Sequence, residues 1–539
     1  MKKAQLGSPN DNNTSNNKKI TTFRKVFPQL FAVSAKNLLM LTYGLTIGIP
    51  TIAIPALSGD TSKRSSDELI LSKEQISWIS SINYIMVPIG CALSGVCTQP
   101  LGRKKSMLLI NIPFIVAWLV LHYGRQVEFL YLGFALTGFT GGFLEAPVLT
   151  YVAEITQPHL RGMLAATSSM SVIFGIFIQF LLGTFLNWRT ICLINISSPI
   201  IAIISLTFIP ESPHWLILKH RYDDAKASLC WLRGWCEVDQ IMDEYNEIYM
   251  TVHKVEPNDK TPQNDATQKT VSRFNLSDYG KRTFLLPYFL VSFSFCLGHF
   301  SGMTTLQTYA VKIFDTLKAP IDKYYATLIL GIVELVGSLL CVILVHYTGK
   351  RLITFVSTIG CSCCFLIVGT YAYFLKIDTE LSETITQYNW IPTTLLITSA
   401  FLSHIGIRLL PWILIGEVFT NETRSNAAGL AGGAGYIFGF LSNKTFFSMI
   451  NLLTWPGVFW FYGLFGLIGT ILLYFILPET EGKPLGEIEL HFAGVKKLRN
   501  SVRRKRKNET SITNLQGTKG ITGIPDKVIL ESETVDSKL

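Results

Sequence analysis

Long apolar stretches alternate with short polar segments along most of the chain, six before a charged central segment and six after it. Each stretch holds about 20 residues, the length that a helix needs to cross the hydrocarbon core of a bilayer. The predicted spans are Phe31–Leu57, Gln75–Cys97, Met107–Gly124, Phe129–Tyr151, Met163–Leu186, Thr190–Ile209, Phe284–Ala310, Tyr325–Val345, Leu352–Phe374, Ile391–Ile415, Ala427–Ile450 and Val458–Leu477. The pattern therefore predicts an all-α membrane protein with 12 transmembrane helices.

The composition of the 539-residue chain supports a membrane protein. Only 16% of the residues are charged and the mean hydropathy is +0.35, whereas soluble proteins carry about 25% charged residues. These values exclude a disordered protein, a collagen-like fibre and an ordinary soluble enzyme. Most of the 10 cysteines lie inside the predicted spans, without a His or carboxylate at ligand spacing. We therefore expect no disulfide framework, no metal site and no cofactor.

The net charge of +10 comes from basic residues in the tails and in short loops, not from a patch suited to nucleic acid. Basic loops mark the cytoplasmic side of a membrane protein. The loops that hold Arg103 and Lys350 fall on the same side as the basic run 503–507. We therefore expect both termini in the cytoplasm, a basic tail that can touch the lipid bilayer, and no nucleic-acid partner.

Charged and proline-containing motifs recur in the two halves of the chain. Glu154 precedes Arg161 by seven positions after the fourth span, and Glu417 precedes Arg424 by the same interval after the tenth. Such repetition indicates a duplicated six-helix unit. The predicted divisions are a cytoplasmic tail at 1–27, six-helix bundles at 28–210 and 283–477, a small cytoplasmic helical loop domain at 211–282, and a basic cytoplasmic tail at 478–539.

These repeated motifs, together with Pro411-Trp412 in the tenth span, resemble the major facilitator superfamily and, within it, the sugar porter family. The similarity extends over residues 31–487. Ser77-Trp78 and the segment 444–446 resemble the insect-type facilitated trehalose and glucose transporters most closely. The resemblance implies the major facilitator fold, with two six-helix bundles around a central cavity, and a carrier rather than an enzyme.

In a carrier of this family, charged residues at the cytoplasmic helix ends are expected to pair across the bundles in one state and to separate in the other. The gating latch that the resemblance implies consists of Arg103, Glu154, Arg161, Lys350, Glu417 and Arg424. Each exposed pair is worth about 1 kcal/mol or less, which suits a contact that opens repeatedly. The alternative is that these residues only follow the topology rule. Gln99-Pro100 and His346-Tyr347 replace other charged partners that the family usually carries in these loops.

The resemblance also implies a sugar site, which needs neutral hydrogen-bonding groups and aromatic faces. Trp412 matches the family's stacking tryptophan, and the helix-breaking Pro411 beside it favours a cavity-lining position over an interfacial one. Several of the family's other sugar ligands are replaced in this chain. With Trp412, the aligned positions that we expect to bind substrate are Ser169, His299, Thr304, Glu334, His404, Arg408 and Tyr436.

Several of these residues are ionisable and lie inside predicted spans, where such groups normally face a cavity or one another. Arg408 follows His404 by four positions and shares its helix face, and Glu145 adds an acidic group in the fourth span. We expect Glu334 and Arg408 to pair across the C-terminal bundle. Structural packing, substrate orientation and proton coupling all stay open as roles for that pair.

The sequence thus predicts a secondary carrier in the plasma membrane for a sugar, such as trehalose, a hexose or a related polyol, that works by alternating access. Transport is either facilitative or coupled to protons. Two alternatives stay open: a non-transporting nutrient sensor on the same fold, which the replaced ligands and the basic tail favour, and a carrier of a non-sugar solute. We expect no catalytic residues, because no nucleophile–base spacing is present.

Overall fold

The computed structural model describes residues 22–59, 69–253, 280–377, 387–419 and 424–498. Within these ranges the regular secondary structure is helical, and eleven helices are long and apolar enough to cross a membrane. The last of them, Arg424–Ile476, is broken at Thr454, whose φ is 64°, and its two parts are the eleventh and twelfth spans. The prediction of an all-helical membrane protein with 12 spans is confirmed. The basic run 503–507 lies outside the described residues.

The first six spans form the N-terminal bundle. Their helices are Thr22–Leu57, Lys73–Leu101, Arg103–Tyr123, Val127–Phe143 followed by Glu145–Ile155, Pro158–Phe185, and Trp188–Asn195 followed by Ser197–Thr207. The second span begins with a capping box, in which the side chains of Ser72 and Gln75 each bond the other residue's backbone. The fourth and sixth spans are each divided into two helices, at Leu144 and Ile196.

The other six spans form the C-terminal bundle. Their helices are Arg282–Phe300 followed by Met303–Thr308 and Ala310–Thr316, Lys323–Thr348, Lys350–Ile377, Trp390–Ile405 followed by Leu410–Val418, and Arg424–Ile476. The tenth span is interrupted at 406–409, where the freed N–H of Ile407 donates to Ser357 Oγ at 3.1 Å. Helix breaks in a membrane occur where protein or a cavity, not lipid, surrounds them. The break therefore marks the interior side of the bundle.

Short helices lie between and after the bundles: Pro213–Leu218, Tyr222–Leu232, the 3₁₀ turn Val238–Ile241, Met242–His253, and Leu485–Phe492. The buried guanidinium of Arg233 pairs with Glu244 and donates to the carbonyl of Ile155 at 3.1 Å, which fastens the central helices to the fourth span. Ile488 and Phe492 are buried in the C-terminal bundle, so the start of the predicted tail is a packed helix. The domain boundaries themselves stay a prediction.

The apolar core is distributed differently at the two ends of the molecule. We call the face that carries Thr22 and the helix Leu485–Phe492 the terminal face, and the opposite one the distal face. On the distal side a single buried cluster joins both bundles and contains, for example, Ile52, Ile79 and Phe446. On the terminal side each bundle has a separate core. Because burial of apolar surface drives packing, the bundles are held together mainly at the distal face.

Candidate functional site

A cavity of about 230 Å³ lies between the two bundles. Six of the eight predicted substrate-binding residues line it: Ser169, His299, His404, Arg408, Trp412 and Tyr436. Thr304 and Glu334 are buried directly behind the cavity wall and reach it through hydrogen bonds. Among the described residues, no group of three His, Cys, Asp or Glu side chains is placed to hold a metal ion. Binding of a substrate by these residues stays a prediction.

The expected direct pairing of Glu334 with Arg408 is not present, because Gln307 lies between them. Gln307 Nε2 donates to Glu334 Oε2 at 2.8 Å, and Arg408 donates to Gln307 Oε1 at 3.3 Å. A glutamine amide offers both a donor and an acceptor, so it can connect a carboxylate to a guanidinium that are too far apart to touch. The other Glu334 oxygen, Oε1, is buried and has no hydrogen-bond partner among the described residues.

The same polar network continues along the seventh span. Arg408 donates to Thr304 Oγ1 at 2.9 Å, and that oxygen lies 2.8 Å from His299 Nδ1. Tyr84, from the second span, meets the His299 ring edge-on at a centroid distance of 6.3 Å and lines the cavity beside it. The guanidinium of Arg408 is therefore fixed at the cavity wall by neutral acceptors.

Aromatic rings form another part of the wall. Trp412 keeps 39% of its surface exposed, meets Phe295 edge-on at 5.1 Å, and lies 6.0 Å from Tyr436. An indole held in this way by neighbouring rings offers one apolar face to a ligand, and its orientation is fixed before the ligand arrives.

Glu145 and Tyr436 connect the two bundles across the cavity, with the Tyr436 hydroxyl donating to Glu145 Oε1 at 3.1 Å. Glu145 begins a helix directly after the break at Leu144, which turns its side chain into the cavity. Tyr43 and Cys91 lie next to this pair.

Sequence reasoning missed several cavity residues, including Gln307, Tyr84 and Tyr43. Gln307 left a signal that could have been used, because it lies three positions after Thr304 and so shares a helix face with it. The two tyrosines left none, since no motif or spacing in the first and second spans marks them as facing a cavity.

Comparison with known proteins identifies the family. The profile of the family described as "Sugar (and other) transporter" matches residues 31–492, most of the chain. This protein belongs to that family. Facilitated trehalose transporter Tret1 of Bombyx mori is 26% identical over 484 residues, which cover 89% of this chain and 90% of the relative. Tret1 of Polypedilum vanderplanki is 26% identical over 469 residues, covering 87% and 89%.

Solved structures of the xylose transporter XylE from E. coli share the fold. A partially occluded inward-open form has a TM-score of 0.66 at 16% identity, over 85% of this chain and 99% of that one. The proton:xylose symporter XylE bound to 6-bromo-6-deoxy-D-glucose has a TM-score of 0.63 at 19% identity, over 87% and 100%. The chain thus has the major facilitator fold, and its relatives are carriers, not enzymes.

In this sugar transporter family member, the predicted latch residues pair inside each bundle at the terminal face. Arg103 bonds Glu154 at 2.7 Å, and Lys350 bonds Glu417 at 2.5 Å. The described atoms of these pairs do not join the two bundles, so a latch between bundles stays a prediction. The side chains of Arg161 and Arg424 lie outside the described part of the structure.

The two pairs have nearly the same surroundings. Ser212 donates to Glu154, and Thr480 donates to Glu417 at 2.8 Å. Lys350 also lies 3.0 Å from Glu481, whose other oxygen is 2.9 Å from His346 Nδ1. His346 occupies one of the positions where the family usually carries a charged residue. Through Glu481 it is connected to Lys350 at the start of the ninth span.

The distal face is closed by polar contacts between the bundles. Lys444 donates to Ser77 Oγ at 2.9 Å and lies 4.0 Å above the ring of Trp78. Next to it, Asn443 donates to the carbonyl of Ser80 at 3.0 Å. The two segments on which the resemblance to insect trehalose transporters rested, 77–78 and 444–446, therefore meet in space and hold the distal side together.

Proposed function

We propose that this protein is a secondary carrier that moves a sugar across the plasma membrane by alternating access. The observation that carries the proposal is a cavity between two duplicated bundles whose apolar core is continuous on the distal side and divided on the terminal side. Such a cavity can be exposed to one compartment at a time by rocking the bundles about it.

The substrate class that we infer is a neutral sugar such as trehalose, a hexose or a related polyol. A sugar offers a ring of hydroxyls and an apolar CH surface, which need hydrogen-bonding side chains and an aromatic face. Trp412 supplies the aromatic face, while Ser169, Gln307 and His299 supply polar groups around it. The names of the Tret1 relatives support trehalose as the first candidate.

We further propose that the terminal face is cytoplasmic. Basic residues concentrate in the loops of that face, among them Arg103, Lys104 and Lys350. Positive residues are retained on the cytoplasmic side during insertion. An impermeant label that reaches residue 70 but not residue 495 in intact cells would support this orientation, and the reverse pattern would contradict it.

The test is uptake of labelled trehalose, glucose and a polyol by proteoliposomes, with and without a pH gradient. We expect saturable uptake of at least one sugar, and Trp412→Ala should raise its KM about tenfold, as expected for a loss near 1.4 kcal/mol. Trp390→Ala is the matched control, because Trp390 is exposed at the distal end of the same span.

The alternatives predict different results. Saturable binding of a sugar without uptake would favour a nutrient sensor on this fold. Uptake of a non-sugar solute, with no effect of any sugar on it, would overturn the proposed substrate class.

A further inference from the structure

The hydrogen bond between Glu145 and Tyr436 has an unusual place in the molecule. Glu145 lies nearer the terminal end of the fourth span, and Tyr436 nearer the terminal end of the eleventh. Other hydrogen bonds between the bundles, such as those of Thr51, Ser80 and Lys444, lie at the distal side. The terminal cores of the two bundles are already separate in this structure, so the Glu145–Tyr436 bond is a contact that must break for the terminal side to open further.

No cation faces the Glu145 carboxyl group in the described part of the chain. Its titratable neighbours are Tyr436 from the eleventh span, Cys91 from the second and Tyr43 from the first. The third and fifth spans also pack against the helix Glu145–Ile155 but contribute no charged group to this carboxyl. Within the described residues, its hydrogen-bonding partners are thus a phenol and a thiol.

The charge state of Glu145 is consequently linked to the state of the cavity. Burying a carboxylate without a counter-ion costs several kcal/mol, whereas a neutral carboxyl group bonded to a hydroxyl is far cheaper to bury. When the bundles separate on the terminal side, water replaces Tyr436 and solvates the charged form. Protonation therefore favours closure of the terminal side, and deprotonation favours its opening.

We propose that Glu145 is the proton-binding group of this carrier, which rests on the proposed function of sugar transport. The carboxylate takes one proton while the cavity faces the distal compartment, since the terminal side is then closed over it. The O–H bond breaks when the terminal side opens, and the proton leaves to the terminal compartment. Each turnover then carries one proton in the same direction as the sugar.

The first test measures the opening of the terminal side without using transport. We call this proton-dependent opening at Glu145 the gate. Hydrogen–deuterium exchange of segments 141–155 and 427–440 is compared at about pH 7.5 and about pH 5.5, corrected for chemical exchange. In the wild type we expect protection to rise about tenfold at the lower pH. This rise corresponds to about 1.4 kcal/mol of additional stability of the closed terminal side. Glu145→Gln, which stays neutral, should show the high protection at both values.

Two further variants separate the gate from a general effect of charge. Glu334→Gln removes a buried carboxyl group whose hydrogen bond, among the described residues, lies within the C-terminal bundle, so it should keep the pH response of the wild type. Tyr436→Phe should keep the response while lowering protection at both values. An unchanged pH response in Glu145→Gln would overturn the proposal.

The second test is sugar uptake driven by a pH gradient. Glu145→Gln should lose accumulation against a sugar gradient but keep sugar exchange at equilibrium. If the wild type takes up no sugar while its exchange response still depends on Glu145, the proposed function fails and the gate stands. If the variant accumulates sugar like the wild type, the gate fails and the transport function stands.

Discussion

At the scale of single residues, this protein uses a neutral amide to organise buried charges. Gln307 holds the Glu334 carboxyl group on one side and the Arg408 guanidinium on the other. A direct ion pair would satisfy the two groups mutually, whereas the inserted amide leaves Arg408 at the cavity wall, within reach of a ligand. Burying ionisable groups inside a membrane costs free energy, so each of these hydrogen bonds contributes to the stability of the protein.

Gln307→Leu tests this arrangement. The substitution leaves Glu334 without its hydrogen bond, and an unsatisfied buried group of this kind costs about 1–3 kcal/mol. We expect a lower melting temperature in detergent. The double variant Gln307→Leu, Glu334→Leu removes both partners and should recover much of the loss. A double variant that melts lower than the single one would contradict this explanation.

At the scale of the helices, the two halves of the chain carry the same helix cap. Glu211 accepts hydrogen bonds from the backbone N–H groups of Arg103 and Lys104, at 3.1 and 3.0 Å. Glu479 accepts from those of Lys350 and Arg351, at 3.2 and 3.0 Å. A carboxylate there satisfies free N–H groups and complements the helix dipole.

Glycine makes the cap geometry accessible in both halves. Gly102 and Gly349 precede the capped helices with φ of 93° and 82°. A side chain in this left-handed region would be strained, so glycine lets the chain turn sharply between consecutive spans. The tight turn places the first helical N–H groups opposite the acidic residue that follows the sixth or twelfth span.

Removing either cap should destabilise the protein to a similar extent. We expect Glu211→Ala and Glu479→Ala each to lower the free energy of unfolding by about 1–2 kcal/mol, because free helix N–H groups lose an anionic acceptor. Glu489→Ala is the control, since Glu489 is exposed on a short helix. Thermal unfolding measures all three. Equal melting temperatures for cap and control variants would show that the caps contribute nothing.

The neighbouring Glu481 gives the terminal face an acid-sensitive contact. Burial alone would raise the pKa of this carboxyl group, but the hydrogen bonds and charges of His346 and Lys350 outweigh it and hold the pKa below its ordinary value of 4.5. A depressed pKa contributes stability that is present above the ordinary value and is lost as the pH falls through the folded-state pKa.

Glu481→Gln should therefore flatten the acid side of the stability profile. Between neutral pH and 4.5 the melting temperatures of wild type and variant should run in parallel. Below that value the wild type should fall more steeply, because it loses the contact with Lys350 as the carboxylate becomes protonated. Parallel curves over the whole acid range would show that the contact is not linked to this proton.

At the scale of the whole molecule, an apolar core shared by both bundles on the distal side and separate cores within each bundle on the terminal side define the state of the carrier. Polar contacts complement the shared core at the distal rim, where Lys444 bonds Ser77 and lies over Trp78. A cation over an indole is worth about 0.5–2 kcal/mol, and a hydrogen bond about 1 kcal/mol. Lys444 is therefore a principal polar contact of distal closure.

Lys444→Met should shift the carrier toward opening on the distal side. A cysteine introduced at the cavity-lining residue Ile47 would report this through its reaction with an impermeant thiol reagent. We expect about tenfold faster labelling from the distal side, corresponding to a loss of about 1.4 kcal/mol. The parent without Ile47→Cys corrects for native cysteines.

Thr445→Ala is the matched control for Lys444→Met, since the Thr445 hydroxyl contacts Leu441 and Met449 of its own helix and, among the described residues, nothing in the other bundle. It should leave the labelling rate at the level of the Ile47→Cys parent. Equal labelling rates for the Lys444 and Thr445 variants would show that Lys444 does not contribute to closure of the distal side.

The sequence by itself determined the twelve spans, the motifs that recur in both halves and the place of Trp412 in the cavity. These follow from the length of apolar stretches, from spacing, and from a proline beside a tryptophan, which are local properties of the chain. Even the break that divides the last long helix at Thr454 falls between two predicted spans.

Tertiary structure alone decided which groups meet. Gln307, rather than Arg408, bonds Glu334, and Arg103 bonds Glu154 inside its own bundle. The contact of Glu145 with Tyr436 joins positions 291 residues apart. Partner choice depends on the rotation and depth of each helix, which are set by packing against all its neighbours and not by the pattern along any one of them.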